Sequence, residues 1–222
     1  MICISGGSSF VGKAIIRVLD EQHIAYWVIP RVSIDDELEE YLSMRECTTF
    51  IHCAWAMNYE SALNDQENDI LNMLVLNGIK KVQNFLFISS IHVLTNNSAY
   101  SRAKTKWETL FFNSAVEVNN TMATIFLPHL IAPEVGQNNH SVIYKFYNNW
   151  KVGLPMDIHD DQDVHYTDFK NFKSTIIDVL SANRMMKVIP QFFVASVSKL
   201  KSEFLANNSS CPIIEALKTS NI

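Results

Sequence analysis

Cysteine is scarce in this sequence, and its spacing is uninformative. Cys3, Cys47, Cys53 and Cys211 are scattered over 222 residues without a C-x-x-C pair. Cys3 and Cys53 fall in apolar, strand-like runs and read as buried free thiols, which suits a reducing compartment. No apolar run is long enough to span a membrane. Met1-Ile2-Cys3-Ile4 leads straight into a strand without a basic leader, so no signal peptide is expected and the cytoplasm is the expected location. Basic clusters are missing too. A formal net charge of -5 and only short Lys/Arg pairs argue against a nucleic-acid partner. Asp160, Asp161 and Asp163 have no matching His or Cys, so that stretch reads as a solvated loop and no metal site is expected. There is no internal repeat and no low-complexity block.

What is present is the composition of a globular domain, 48% hydrophobic and 18% charged, in a chain long enough for one sizeable core with a small appendage. Short apolar runs at 2–5, 25–29, 49–54, 84–89 and 123–127 read as strands. Helical periodicity fills the intervals at 10–22, 35–42, 69–77 and 98–113. Gly78 is expected to cap the third of these helices. Strands alternating with helices predict a parallel α/β sheet. Beyond residue 135 the pattern is less regular. Helices are expected at 142–150 and 169–180, and a strand at 188–194. The expected division is a dinucleotide-binding unit over 1–135 and a small substrate-side region over 136–222, interleaved with the first.

Two local patterns carry chemistry. The first strand runs into Gly6-Gly7-Ser8-Ser9-Phe10-Val11-Gly12 and then a helix. Glycines there let the backbone approach a pyrophosphate, and the helix start supplies amides and the positive end of a dipole. The second pattern is Tyr100-Ser101-Arg102-Ala103-Lys104, ten residues after Ser89-Ser90. A free tyrosine, with a pKa near ~10, is a poor acid or base at neutral pH. A lysine four residues on shares its helix face, and its charge favours the tyrosinate. A serine hydroxyl nearby would bond the same substrate oxygen.

In this order the motifs resemble the extended short-chain dehydrogenase/reductase family, the nucleotide-sugar epimerases, dehydratases and reductases. That family opens with T-G-x-x-G-x-x-G. Here Gly6 and Gly12 match, and Ser9 replaces the middle glycine. Phe50-Ile51-His52-Cys53-Ala54 is similar to the segment passing the adenosine. Phe85 to Ser90 is similar to the strand ending in the catalytic serine, and Leu127-Pro128-His129 to Pro133 to the segment meeting nicotinamide and substrate, without the family's arginine. Gly153-Leu154-Pro155 through Tyr166-Thr167-Asp168-Phe169 is similar to its later G-x-P and V-x-D segments.

The resemblance implies a Rossmann-like, doubly wound parallel sheet with a small C-terminal substrate-side subdomain. It implies an NAD(P)-dependent oxidoreductase or epimerase acting on a nucleotide-linked sugar, in surface-polysaccharide synthesis. The catalytic set would be Ser90, Tyr100 and Lys104. The cofactor would be lined by Gly6, Ser8, Ser9, Phe10, Val11, Gly12, His52, Cys53, Ala54, Ser89, Tyr100, Lys104 and Pro128. Arg31 follows the second strand, where an arginine suits a 2′-phosphate, so NADP is preferred over NAD. His52 also reads as a packing histidine, whereas His92 and His129 are expected to contact substrate. Between Ile29 and Phe50 there is room for one helix, where most members have a helix, a strand and another helix. The reductases of dTDP-4-dehydrorhamnose are shortened similarly. The shortened chain implies a small or open pocket, or one completed by a second subunit in a homodimer. The competing expectation is a non-catalytic NAD(P)-binding regulatory or interaction protein on the same fold.

Overall fold

Residues 1–30, 42, 46–55, 63–95, 98–132, 135–136, 141–156, 163–182, 184–206, 213–214 and 217 are described by the computed structural model, with backbone alone at 63–66. The predicted acidic helix at 35–42, apart from Leu42, lies outside them. So do Arg31, Pro133, Asp160 and Asp161.

Strand β1 (Ile2–Ser5) is buried at every position, as a parallel strand covered on both faces must be. Helix α1 (Phe10–Glu21) buries Gly12, Ala14, Ile15, Val18 and Leu19, the spacing of a one-sided apolar stripe. There follow β2 (Tyr26–Val28), β3 (Thr49–His52), α2 (Leu63–Ile79), β4 (Asn84–Ser90), the single turn α3 (His92–Thr95), α4 (Ala99–Glu117) and β5 (Thr121–Leu127). The remainder contributes β6 (His129–Ile131), α5 (Val142–Lys151), β7 (Asp163–Asp168), α6 (Phe169–Ala182), β8 (Met186–Val188), β9 (Phe193–Ser196) and α7 (Val197–Leu205).

Six strands form one sheet in the order β2-β1-β3-β4-β5-β8, every pair parallel. Alternate residues of β4 feed opposite layers. Leu86 and Ile88 pack with Ile4, Ile51 and Ile125 under α1 and α6. Phe85 and Phe87 pack with Cys3 and Phe50 under α2 and α4, against Val75, Ile79, Trp107 and Phe111. Helices on both faces of a parallel sheet make this a Rossmann-like, doubly wound fold. A second sheet, β6-β7-β9, covers a separate core of Ile131, Ile143, Tyr144, Phe146, Val164, Leu200 and Phe204 supplied largely by α5 and α7.

Two expectations are corrected. The run 188–194 is not one strand. Val188 ends β8 beside β5 in the large sheet, and Phe193 begins β9, antiparallel to β7 in the small one. Pro190 lies between them, and without an N–H it cannot serve a continuous ladder. Gly78 is not a cap: α2 runs on to Ile79, and Gly78 is not among the glycines of positive φ.

Candidate functional site

The strand order reverses at β1, whose neighbours are β2 on one side and β3 on the other. In open α/β sheets such a reversal leaves a crevice beyond the carboxyl ends of the strands. Two segments line it, the glycine turn after β1 and Cys53–Trp55 after β3, and they lie in contact. The Cys53 amide and thiol both donate to the Ser5 carbonyl, at 3.2 and 2.9 Å. Gly6 has φ +75°, and a Cβ there would stand 2.5 Å from the Ala54 nitrogen, so the close approach requires glycine. A Cβ on Gly12 would stand 2.1 Å from the Gly6 oxygen. Gly12 therefore serves the packing of α1 on the turn. Ser9 is the N-cap of α1, and its Oγ accepts the Gly12 amide at 3.0 Å. The serine in place of the family's middle glycine thus satisfies one helix-start amide itself. The amides of Phe10 and Val11 belong to the same first turn, which has no intrahelical acceptors to offer them. Ser8 is exposed at the apex.

Tyr100 and Lys104 stand one turn apart on α4. Ser98 caps that helix, its Oγ accepting the Ser101 amide at 3.1 Å. The Ser101 hydroxyl donates to the His92 carbonyl at 3.0 Å, tying α4 to α3. The Lys104 side chain is buried, and its Nζ donates to the Ile88 carbonyl at 3.1 Å. Its ammonium lies 3.9 Å from the centre of a Trp55 ring and 4.8 Å from that of Phe87. Trp55 also meets Tyr100 edge to face, with ring centres 6.1 Å apart. The indole therefore touches both members of the predicted proton-transfer pair. Burial pulls the Lys104 pKa down to about 7, with Cys53 opposing. Burial also pushes the Cys53 thiol up to about 12.

His52 is turned into the core. Its ring is fully buried, with Nδ1 2.7 Å from the Ser5 hydroxyl and Nε2 3.1 Å from the Asn72 side-chain oxygen. Burial, then the Lys104 charge, lowers its pKa to about 3, so the imidazole is neutral at physiological pH. A neutral ring that donates to Asn72 and accepts from Ser5 satisfies both nitrogens. The crevice is left the backbone of His52, not its ring.

Ser89 and Ser90 end β4. The Ser90 Oγ accepts the His92 amide at 3.3 Å. The buried Ser89 Oγ has no hydrogen-bond partner among the described residues. A buried hydroxyl left unpaired costs about 1–3 kcal/mol, which a ligand at this edge would recover. Ser90 lies in register with Leu127, so Pro128 and His129 follow beside it. The rings of His92 and His129 meet edge to face with centres 5.7 Å apart. His165, on β7, is electrostatically coupled to both. Burial first, then this crowding, lowers His92 and brings His129 to about 4. Among the described residues, no group of three His, Cys, Asp or Glu side chains is arranged to hold a metal ion.

The structure thus gathers the glycine turn, Cys53, Ala54, Ser89, Ser90, His92, Tyr100, Lys104, Pro128 and His129 along one edge of the sheet. Trp55 and His165 join them without having been singled out in the sequence. Trp55 directly follows the segment ending in Ala54, and that position was the available signal. Nothing local marks His165. A cavity of about 30 Å³ lined by Thr49, Asn84 and Thr121 lies at the opposite edge, where β3, β4 and β5 begin, away from these residues.

No family profile and no curated protein sequence matches the chain. Solved structures do. UDP-N-acetylglucosamine 4-epimerase from Bacillus cereus superposes with a TM-score of 0.76 at 13% identity, over 99% of this chain and 82% of that one. The Bordetella bronchiseptica enzyme WbmG, solved with NAD and UDP, gives 0.75 at 17%, over 93% and 77%. The capsular polysaccharide assembling protein CapF from Staphylococcus aureus gives 0.75 at 19%, over 99% of this chain but 63% of its own. The chain shares the Rossmann-like, doubly wound fold of these proteins. At these identities the likeness is one of fold. No described helix is long and apolar enough to cross a membrane.

Proposed function

We propose that this protein is an NAD(P)-dependent oxidoreductase or epimerase acting on a nucleotide-linked sugar. The observation that carries the reading is the placement of Tyr100 and Lys104 one turn apart on α4 at the sheet edge, beside a turn whose close backbone approach requires glycine. The edge fits a dinucleotide. The backbone approach at Gly6, the first-turn amides of α1 and the unpaired Ser89 hydroxyl are what a pyrophosphate and its attached ribose would use.

When bound, the nicotinamide exchanges a hydride with a carbinol or keto carbon. The remaining work falls to this chain. Tyr100 transfers the proton at the substrate oxygen. Ser90 polarises that oxygen. Lys104 holds the nicotinamide ribose and places positive charge beside Tyr100. The histidines of β6 and α3, His129 and His92, contact the substrate, and the small sheet β6-β7-β9 supplies its far wall. The work of the enzyme lies in surface-polysaccharide synthesis.

The test is single-turnover absorbance of the nicotinamide after addition of a UDP-sugar. A hydride signal supports the reading. Its absence with every nucleotide sugar offered, while the dinucleotide still binds, supports the non-catalytic binding protein instead. The indole covering Lys104 favours that second reading. Arg31 is assigned to the 2′-phosphate, so Arg31→Ala should narrow the difference between NADP and NAD dissociation constants. An unchanged ratio removes the NADP preference.

A further inference from the structure

The Lys104 ammonium has three hydrogens to donate and no capacity to accept. One points to the Ile88 carbonyl at 3.1 Å. Aromatic faces take the other directions, Trp55 at 3.9 Å and Phe87 at 4.8 Å. Among the described residues no carboxylate pairs with it. Two ring faces therefore do the work of a counter-ion, through the attraction of a cation to a ring's negative face. The two rings differ in freedom. Phe87 is wholly buried in β4, wedged between Phe111 and His52 at 5.2 and 5.9 Å. Trp55 lies beyond the end of β3, is partly exposed, and follows the Ala54 backbone on which the glycine turn rests.

We infer that Trp55 gates Lys104: a ligand hydroxyl can accept a hydrogen bond from Nζ only when the indole gives up its place. This rests on the reading of Lys104 as the ribose anchor. Ligand affinity is then reduced by the fraction of molecules in which the indole still covers the ammonium. Trp55 sets that fraction, and so tunes how tightly the site holds a dinucleotide. The same indole shields Lys104 from water. Removing it exchanges a cation–π contact for solvation, and because burial is the dominant influence on this amine, its pKa should rise.

The experiment uses the full chain with Trp55→Ala and Trp55→Phe. NADPH affinity is measured by calorimetry. Trp55→Ala should bind at least ~10-fold more tightly than wild type, with Trp55→Phe between them. Equal or weaker binding by Trp55→Ala overturns the gate and makes the indole an ordinary ligand contact. A second readout needs no dinucleotide. Acetic anhydride labelling of Lys104, followed by peptide mass mapping, should be at least ~10-fold faster in Trp55→Ala. Slow labelling of buried Cys3 by iodoacetamide shows that the fold is intact. Unchanged Lys104 labelling in a folded variant overturns the inference. Faster labelling with no dinucleotide bound by any of the proteins supports the gate and sinks the function proposed above, so the two failures are distinguishable.

Discussion

At the residue scale, the assignment of Tyr100 is the one most open to a clean test. Tyr100→Phe keeps the ring that meets Trp55 and removes the only group on it that can exchange a proton. Turnover should fall by at least ~10²-fold, the usual scale for general acid–base catalysis, with the dinucleotide dissociation constant nearly unchanged. Activity surviving in the variant would falsify the assignment. The pair itself was legible from the sequence because i and i+4 on a helix must share a face. Trp55 and His165 were not, because each earns its place by contacts between distant elements. Trp55 reaches α4 from the end of β3, and His165 reaches β6 from β7. The turn chemistry was half legible. Its glycines were visible, but their separate duties were not. Gly6 makes room for Ala54, Gly12 makes room for Gly6, and Ser9 caps the helix.

At the element scale, α1 and α4 are aimed by their first turns. Gly12→Ala places a methyl where the Gly6 oxygen already lies. It should destabilise the fold by about 3 kcal/mol, as overpacking against backbone does, seen as a lower denaturant midpoint without any ligand present. An unchanged midpoint would mean that α1 can slide away from the turn. Ser98→Ala removes the cap of α4 and costs about 1 kcal/mol. Because the Ser98 hydroxyl also meets Ser101 at 3.0 Å, and Ser101 holds the His92 carbonyl, kcat should drop more than stability alone explains. Equal kcat in variant and wild type would show that Tyr100 is positioned from elsewhere. The first five strands of the large sheet were readable as apolar runs bounded by turns, whereas β8 was merged with the start of β9 into one run. The small sheet was not readable, because its strands are short and pair across long stretches of chain: β6 with β7, and β7 with β9. Only the tertiary partner tells such a strand from a loop.

For the whole molecule, the buried His52 and Lys104 and the partly buried His129 set the response to pH. His52 and His129 have folded-state pKa values lowered to about 3 and about 4. The unfolded chain therefore binds more protons below the ordinary histidine value of ~6.5. Their stability is fully present above that value and is lost as pH falls toward 3. Lys104 acts in the same direction higher up. Its pKa of about 7 lies below the ordinary ~10.4, so keeping it charged in the core costs stability near neutrality, and stability recovers as pH rises through that window. Thermal melts without ligand should give a midpoint that climbs from pH 4 to 6.5. Lys104→Met should raise the midpoint at pH 7 and flatten the curve above it. A variant no more stable than wild type at pH 7 would mean that the aromatic faces fully offset the burial of the charge.

The junction between the sheets has a mechanical consequence. Leu127 ends β5, His129 begins β6, and buried Pro128 alone separates them. Tyr144 on α5 meets Phe10, the first residue of α1, edge to face at 6.0 Å. The small sheet is thus strapped to the large one at these two points and at Asp168–Phe169, where β7 runs directly into α6, and the first strap is a ring with a fixed φ. Such a joint has almost no slack for a swinging jaw. Ligand entry and exit should then proceed by local shifts at the rim, and the envelope seen by small-angle scattering should be the same with and without nucleotide.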